Sequence, residues 1–199
     1  MSSDYSKVAL IVGAGSSLGQ QIARGLARAG LRVALNDLLP NHIESLATDL
    51  GEQAAAYPID PSRKLGLQTM LQSILETWQR IDVLVFIPTA QSTTPLLDLD
   101  EWDWHRSLDL NLTTAFLCMQ SVGRVMRELG GGIIVNVLPE GTGASAVYTA
   151  AASGLAALSE AAAAEFSAHN IQVHFLAGAP ANLLSILQLC AAETETKAG

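Results

Sequence analysis

Three glycines near the start of the chain follow a short apolar run at a spacing suited to holding an anion. The segment Val8–Val12 is an unbroken β-branched and aliphatic run, which predicts a strand buried on both faces. Gly13 and Gly15 interrupt it, and Gly19 follows inside a segment with a helical pattern. Glycines let a backbone approach a pyrophosphate, and the free N–H groups at a helix start face that anion. The stretch predicts a dinucleotide-binding turn, and close packing of strand and helix is the alternative reason for the glycines.

A carboxylate follows the second predicted strand. The segment 31–36 (LRVALN) is a short apolar run, and Asp37 comes directly after it, 24 residues beyond Gly13. A carboxylate at about this distance hydrogen-bonds the hydroxyl groups of the adenosine ribose. Because a carboxylate would repel a 2′-phosphate, Asp37 favours NAD over NADP. The alternative is an exposed aspartate that only ends a strand.

The remainder of the sequence alternates predicted strands with predicted helices. Strands are expected at 53–60, 81–87, 133–138 and 171–176, helices at 20–30, 42–51, 65–79, 148–169 and 183–192, and one or two helices over 100–129. This alternation predicts an α/β fold with a doubly wound parallel sheet, Rossmann-like, in three α/β/α layers with about six strands. The length of 199 residues predicts a single domain over 1–199.

Composition excludes several classes of function. The formal net charge of −8 argues against a nucleic-acid partner and an anionic membrane surface. No apolar run is long enough to span a bilayer, and the first residues lack a signal-peptide pattern. Cys118 and Cys190 are far apart in apolar segments, which is typical of buried thiols in a reducing compartment. These features predict a cytoplasmic protein without a metal site.

The order and spacing of these elements resemble the short-chain dehydrogenase/reductase family over essentially the whole sequence. The first turn of that family resembles TGxxxGxG, and the matching stretch here is VGAGSSLG, with Val12 for the threonine and Ser17 for the middle glycine. The segment IDVLVFIPTA is similar to the family's DVLVNNAG, with Phe86 and Ile87 in place of two asparagines. The resemblance implies a dinucleotide site formed by Gly13, Gly15, Ser16, Ser17, Leu18, Gly19, Asp37 and, at the adenine, Asp60.

The same resemblance implies four catalytic positions, of which two keep the chemistry of their side chains. Tyr148 falls on the catalytic tyrosine and Asn111 on the active-site asparagine, whereas the serine position is Pro139 and the lysine position is Ala152. In this family the tyrosine hydroxyl gives or takes a proton while a hydride moves between nicotinamide C4 and a carbonyl or alcohol carbon. The lysine lowers the pKa of that tyrosine by its charge, and alanine cannot. The substitutions therefore predict weakened chemistry, above all in alcohol oxidation.

Two functional interpretations remain open at this stage. The first is an NAD(H)-dependent oxidoreductase with a degenerate active site, acting on a small carbonyl or alcohol. The second is a pseudoenzyme, a non-catalytic nucleotide-binding or partner subunit of the same fold. Correspondingly, Tyr148 either protonates a substrate or packs at a helix start. Asn111 either takes part in a proton relay or satisfies backbone groups at a kink.

The resemblance also bears on assembly and length. In this family the helix through Asn111 and the helix that begins near Tyr148 form a four-helix interface between subunits. The small residues of the second helix fit such an interface, so a homodimer or homotetramer is expected. The family usually has a substrate-covering segment and a seventh strand after the sixth strand. Residues 178–199 are too few for both, so the C-terminal part is short relative to that pattern.

Overall fold

The computed structural model describes residues 6–88, 93–139 and 145–177. Within these ranges six strands alternate with helices, as the sequence predicts. The strands are β1 (Val8–Val12), β2 (Arg32–Asn36), β3 (Ala54–Tyr57), β4 (Val83–Phe86), β5 (Gly132–Leu138) and β6 (Ile171–Ala177). The α-helices are α1 (Ser17–Arg28), α2 (Pro40–Leu50), α3 (Lys64–Trp78), α4 (Glu101–Leu108), α5 (Thr114–Leu129) and α6 (Ala146–Phe166).

All six strands are parallel and lie in the order β3-β2-β1-β4-β5-β6. The sheet is wound outward from β1 in one direction through β2 and β3, and in the other through β4, β5 and β6. This confirms the doubly wound sheet. Such a reversal of strand order leaves a crevice at the carboxyl ends of the central strands, where ligands bind in open α/β sheets. Val12 pairs with both Asn36 and Phe86, so the residues after β1, β2 and β4 meet at that edge.

The core lies on both faces of the sheet, because successive strand residues point to opposite sides. Leu10 belongs to an apolar cluster that includes Met70 of α3 and Leu155 of α6. Its neighbour Ile11 belongs to the other cluster, with Ile22 of α1. Helices α1 and α2 therefore cover one face, and α3, α5 and α6 cover the other. This arrangement confirms the three-layer prediction.

Proline and glycine residues mark several helix ends. Pro40 stands at the first turn of α2, where its missing N–H costs nothing. Gly51 ends the same helix with a φ of 65°, and Gly130 ends α5 with a φ of 89°. Both angles lie in the left-handed region, where glycine carries no Cβ penalty.

The segment 100–129, predicted as one or two helices, is divided in the structure. A π-helical turn, Asp109–Thr113, separates α4 from α5, and the Thr114 hydroxyl donates to the Asp109 carbonyl at 2.7 Å. A π turn inserts one extra residue into a helix, and such turns are frequent at functional sites. The helix predicted at 183–192 and Cys190 lie outside the described residues. No helix in the described part of the protein is long and apolar enough to cross a bilayer.

An ion pair stabilises the amino ends of the central strands, at the side of the sheet opposite the crevice. The Asp82 carboxylate accepts hydrogen bonds from the Val8 N–H at 2.9 Å and from the Arg80 guanidinium at 2.8 and 2.6 Å. The hydrogen bond to Asp82 raises the pKa of the Arg80 guanidinium. Val8 begins β1 and Asp82 precedes β4, so this contact aligns the amino ends of these two central strands. The carboxyl ends of the same strands form the crevice.

Candidate functional site

A crevice of about 760 Å³ lies at the carboxyl ends of the central strands, between the glycine turn and helix α4. It thus occupies the place that the strand order indicates for a ligand. The residues that line it are Gly15, Ser16, Asp37, Leu38, Leu39, His42, Thr93, Thr94, Trp102, Asp103, Arg106, Ser107 and Leu110.

The glycine turn is held by backbone hydrogen bonds from its neighbours. The N–H groups of Gly13 and Ala14 both donate to the Asn36 carbonyl, each at 3.0 Å. The Ser16 hydroxyl donates to the Gly13 carbonyl at 2.8 Å. Gly13 has a φ of 87°, which only glycine adopts readily. The turn is therefore ordered by the protein's own contacts.

Gly19 allows helix α1 to pack directly on the turn. A Cβ at this position would clash with the Gly13 carbonyl oxygen and lie 2.8 Å from the Ala14 Cα. Both neighbours are backbone atoms, which cannot rotate away. The absence of a side chain at Gly19 thus lets the helix start directly beneath the crevice.

The start of α1 offers backbone donors to an anion. Ser16 is the N-cap, and its Oγ accepts from the Gly19 N–H at 3.0 Å. The preceding N–H groups, those of Ser17 and Leu18, precede the first intrahelical bond. They have no hydrogen-bond acceptor within the described residues. Two donors and the positive end of the helix dipole therefore remain for an anionic ligand.

Asp37 lies beside this helix start. Its Oδ2 accepts from the Gly15 N–H at 2.9 Å, and its Oδ1 accepts from the Leu39 N–H at 3.1 Å. A Cβ on Gly15 would lie 2.7 Å from Oδ2, so the carboxylate occupies space that the glycine leaves open. The structure thus brings Asp37, Gly15 and Ser16 together at one crevice.

Asp60 lies apart from the crevice lining. Its Oδ1 accepts from the backbone N–H of Ser62 at 3.0 Å and from the Ser62 hydroxyl at 2.6 Å. The next residue, Pro61, lines a small cavity of about 30 Å³ together with Asp37 and Leu110. Asn36 links the two regions, because its amide donates to the Tyr57 and Ile59 carbonyls at 2.8 Å each. The assignment of Asp60 to an adenine stays a prediction.

The two candidate catalytic residues are buried and do not line the crevice. Tyr148 is 4% exposed with its hydroxyl oxygen inside the protein, and Asn111 is 2% exposed. Tyr148 lies in the first turn of α6, where its N–H donates to the Ser145 side chain at 3.3 Å. Asn111 lies in the π turn. The helix is therefore irregular at Asn111, as expected if this residue satisfies backbone groups at a kink.

The sequence indicates only some of the α4 residues that line the crevice. From the sequence, Trp102 covers either the core or the mouth of a cleft, and in the structure it is 67% exposed and lines the crevice. No sequence motif marks Arg106 as a functional residue. Its guanidinium carbon lies 5.5 Å from the centroid of the Trp102 ring. The spacing of four residues, which places both side chains on one helix face, is the signal that could have found this pair.

A family model for short chain dehydrogenases matches residues 7–183. D-threitol dehydrogenase of Mycolicibacterium smegmatis is 33% identical over 175 residues, which cover 84% of this chain and 67% of the relative. Sorbitol dehydrogenase of Cereibacter sphaeroides is 27% identical over 176 residues, which cover 86% and 69%. Both matches support the resemblance that the motifs indicate.

Two solved structures are similar over most of the sequence. A 3-ketoacyl-(acyl-carrier-protein) reductase from Brucella melitensis, complexed with NADH, has a TM-score of 0.81 at 25% identity, covering 86% of this chain and 74% of the other. An NAD+-bound xylitol dehydrogenase has a TM-score of 0.78 at 26% identity, covering 91% and 75%. The likeness extends over the sheet and helices described above.

Proposed function

The protein belongs to the short-chain dehydrogenase family, and from this membership we propose that it binds NAD(H) as an oxidoreductase with a degenerate active site. The family uses a nicotinamide dinucleotide. The observation that carries the proposal is the Asp37 carboxylate, hydrogen-bonded to the Gly15 N–H at 2.9 Å above the start of α1. A carboxylate that would accept from a ribose thus lies beside the helix start whose N–H groups would hold a phosphate.

The residues present fit a dinucleotide. Gly13, at a φ of 87°, and Gly19, which has no Cβ to clash with the turn, let helix α1 begin directly after β1, so that its first N–H groups would face a pyrophosphate. The N–H groups of Ser17 and Leu18 would hold that anion. When bound, the dinucleotide supplies or accepts a hydride at nicotinamide C4. Ser16 caps the helix and orders the turn through its own two hydrogen bonds.

We propose NAD rather than NADP as the preferred cofactor. Asp37 would accept hydrogen bonds from the ribose hydroxyl groups and would repel a 2′-phosphate placed there. The similar structures that contain NADH and NAD+ accord with this choice. Asp37→Asn removes the charge with little change of shape. We expect the wild-type protein to bind NADH at least ~10-fold more tightly than NADPH, and the variant to lose most of that preference.

The proposed chemistry is hydride transfer to or from a small carbonyl or alcohol, at a reduced rate. Tyr148 would donate or accept the proton at its hydroxyl, and Asn111 would support it. The family's serine and lysine positions are Pro139 and Ala152. Loss of one hydrogen-bond donor to a reacting oxygen costs about 10²–10³ in rate. The lost lysine removes a charge that favours the tyrosinate.

A second candidate function is a non-catalytic nucleotide-binding subunit. The buried hydroxyl of Tyr148 favours it, because this group does not line the crevice that holds the glycine turn. In either case we propose one domain over residues 1–199 that assembles as a homodimer or homotetramer. Light scattering coupled to gel filtration measures that mass directly, and a monomer at micromolar concentration would contradict the assembly.

The deciding experiment has two stages. NADH and NADPH are titrated by fluorescence, and NADH oxidation is then followed by absorbance with a panel of small ketones and aldehydes. Turnover that Tyr148→Phe abolishes, with NADH binding kept, establishes the oxidoreductase. NADH binding without turnover in any reaction supports the non-catalytic subunit. Absence of binding by either nucleotide refutes the proposed function as a whole.

A further inference from the structure

One face of helix α4 forms the second wall of the crevice. Trp102, Asp103 and Arg106 all line it. The Arg106 guanidinium carbon lies 5.5 Å from the centroid of the Trp102 ring, which is within the range for a cation over an aromatic face. Stacking restricts the long arginine side chain. The guanidinium is therefore kept beside the crevice.

The charges around the crevice leave this guanidinium available to a ligand. Asp37 and Asp103 line the same crevice, but neither forms an ion pair with Arg106 in the described part of the protein. Asp37 instead accepts hydrogen bonds from two backbone N–H groups. The turn at 13–19 contains no lysine or arginine. Arg106 is thus the permanently charged cation among the described residues of the crevice.

We infer that Arg106 is a further cofactor-binding residue, whose guanidinium pairs with a phosphate of the dinucleotide from the α4 side. The inference rests on the proposed function, since it requires a nucleotide in the crevice. A pyrophosphate that enters beside two carboxylates meets repulsion, which a guanidinium offsets. The planar group also matches phosphate oxygens with two parallel hydrogen bonds. The helix start and Arg106 then hold the anion from two sides.

A pair of ligands separates a lost charge from a distorted crevice. ADP-ribose carries the two phosphates, and adenosine carries none. For Arg106→Gln we expect the Kd of ADP-ribose, measured by calorimetry, to rise at least ~10-fold. The Kd of adenosine, measured by NMR titration, should stay within about twofold. Raising the salt concentration should weaken ADP-ribose binding to the wild-type protein more than to the variant.

Two further variants serve as controls. Arg106→Lys keeps the charge but lacks the planar guanidinium that donates two parallel hydrogen bonds, so it should retain part of the affinity for ADP-ribose. Arg28→Gln removes an exposed arginine at the far end of α1 and should leave both ligands unaffected. Thermal unfolding of each variant shows that the fold is intact before binding is compared.

Three results would contradict the reasoning in distinguishable ways. Unchanged binding of ADP-ribose by Arg106→Gln, with normal binding by the wild-type protein, overturns the assignment of Arg106 alone. An equal loss of adenosine affinity also overturns it, because the side chain would then act through shape. If the wild-type protein binds neither NADH nor ADP-ribose, the proposed function fails together with the inference.

Discussion

Substitution of Gly15 by alanine tests whether the Asp37 carboxylate belongs to the nucleotide site. The added Cβ would lie 2.7 Å from Asp37 Oδ2 and 2.8 Å from its Cγ, well inside van der Waals contact. Gly15 is not at a positive φ, so its backbone accepts alanine without strain. We therefore expect the carboxylate, a side-chain end at a half-buried site, to rotate away while the turn keeps its shape.

The magnitude follows from the bonds that this rotation breaks. The charge-assisted hydrogen bond between Gly15 N–H and Asp37 Oδ2 is lost. Because Asp37 is partly exposed, we expect a loss of only about 1 kcal/mol in the free energy of unfolding, or about 2–4 °C in Tm. Binding should suffer more, since the displaced carboxylate no longer accepts from the ribose hydroxyl groups. One to two charged hydrogen bonds correspond to a roughly 10- to 100-fold higher Kd for NADH.

Gly19→Ala is the matched control. Its Cβ meets backbone atoms of Gly13 and Ala14, which cannot rotate away, so the cost appears in folding. We expect a loss of about 1–3 kcal/mol and a lower Tm than that of Gly15→Ala. The assays are thermal unfolding and NADH fluorescence titration. A folded Gly15→Ala protein that binds NADH within twofold of the wild-type Kd would refute the placement of Asp37 at the ribose.

Two further predictions concern stability. Asp82→Ala should lower the free energy of unfolding by about 2–4 kcal/mol, because it leaves the Val8 N–H and the Arg80 guanidinium without their shared acceptor. Asp49→Ala removes an exposed ion pair with Arg24, 2.8 Å long, and should lower the free energy of unfolding by less than about 1 kcal/mol. Equal losses for Asp82→Ala and Asp49→Ala in urea unfolding would contradict this account. Burial raises the pKa of the Cys118 thiol from an ordinary 9.0 to about 12, so its contribution to stability is complete below pH 9 and is lost as the pH rises toward 12. At pH 10 the thiol of the unfolded protein has ionised and that of the folded protein has not, which lowers the free energy of unfolding by about 1.4 kcal/mol. For Cys118→Ala, the free energy of unfolding should fall less between pH 8 and pH 10 than it does for the wild-type protein. An equal fall in both proteins would refute this prediction.

Much of the fold is readable because its signals are local. The run Val8–Val12 predicts a strand, and the structure places β1 at those residues. Gly51 ends α2 where the apolar pattern ends. The regular alternation of strands and helices allows few topologies other than a parallel sheet wound in two directions. The resemblance to the family follows from the same spacings.

Other features have no local signal. The π turn at Asp109–Thr113 has no proline or glycine to mark it, so the sequence leaves open whether 100–129 forms one helix or two. The pairing of Asp82 with Val8 joins residues 74 positions apart, and nothing near either residue indicates it. Arg106 lies in an ordinary charged helix segment, and its interest comes only from what faces it across the crevice.

The sequence by itself determined the types of element and the parallel sheet, and it predicts the loss of the family's functional groups at Pro139 and Ala152. These depend on residue identity and on spacings within one strand or helix. Only the tertiary structure decided that Asp37 lies against Gly15 and that the Tyr148 hydroxyl is buried away from the crevice. The physical reason is that exposure and contact depend on which elements pack together, and side chains distant in sequence set that packing.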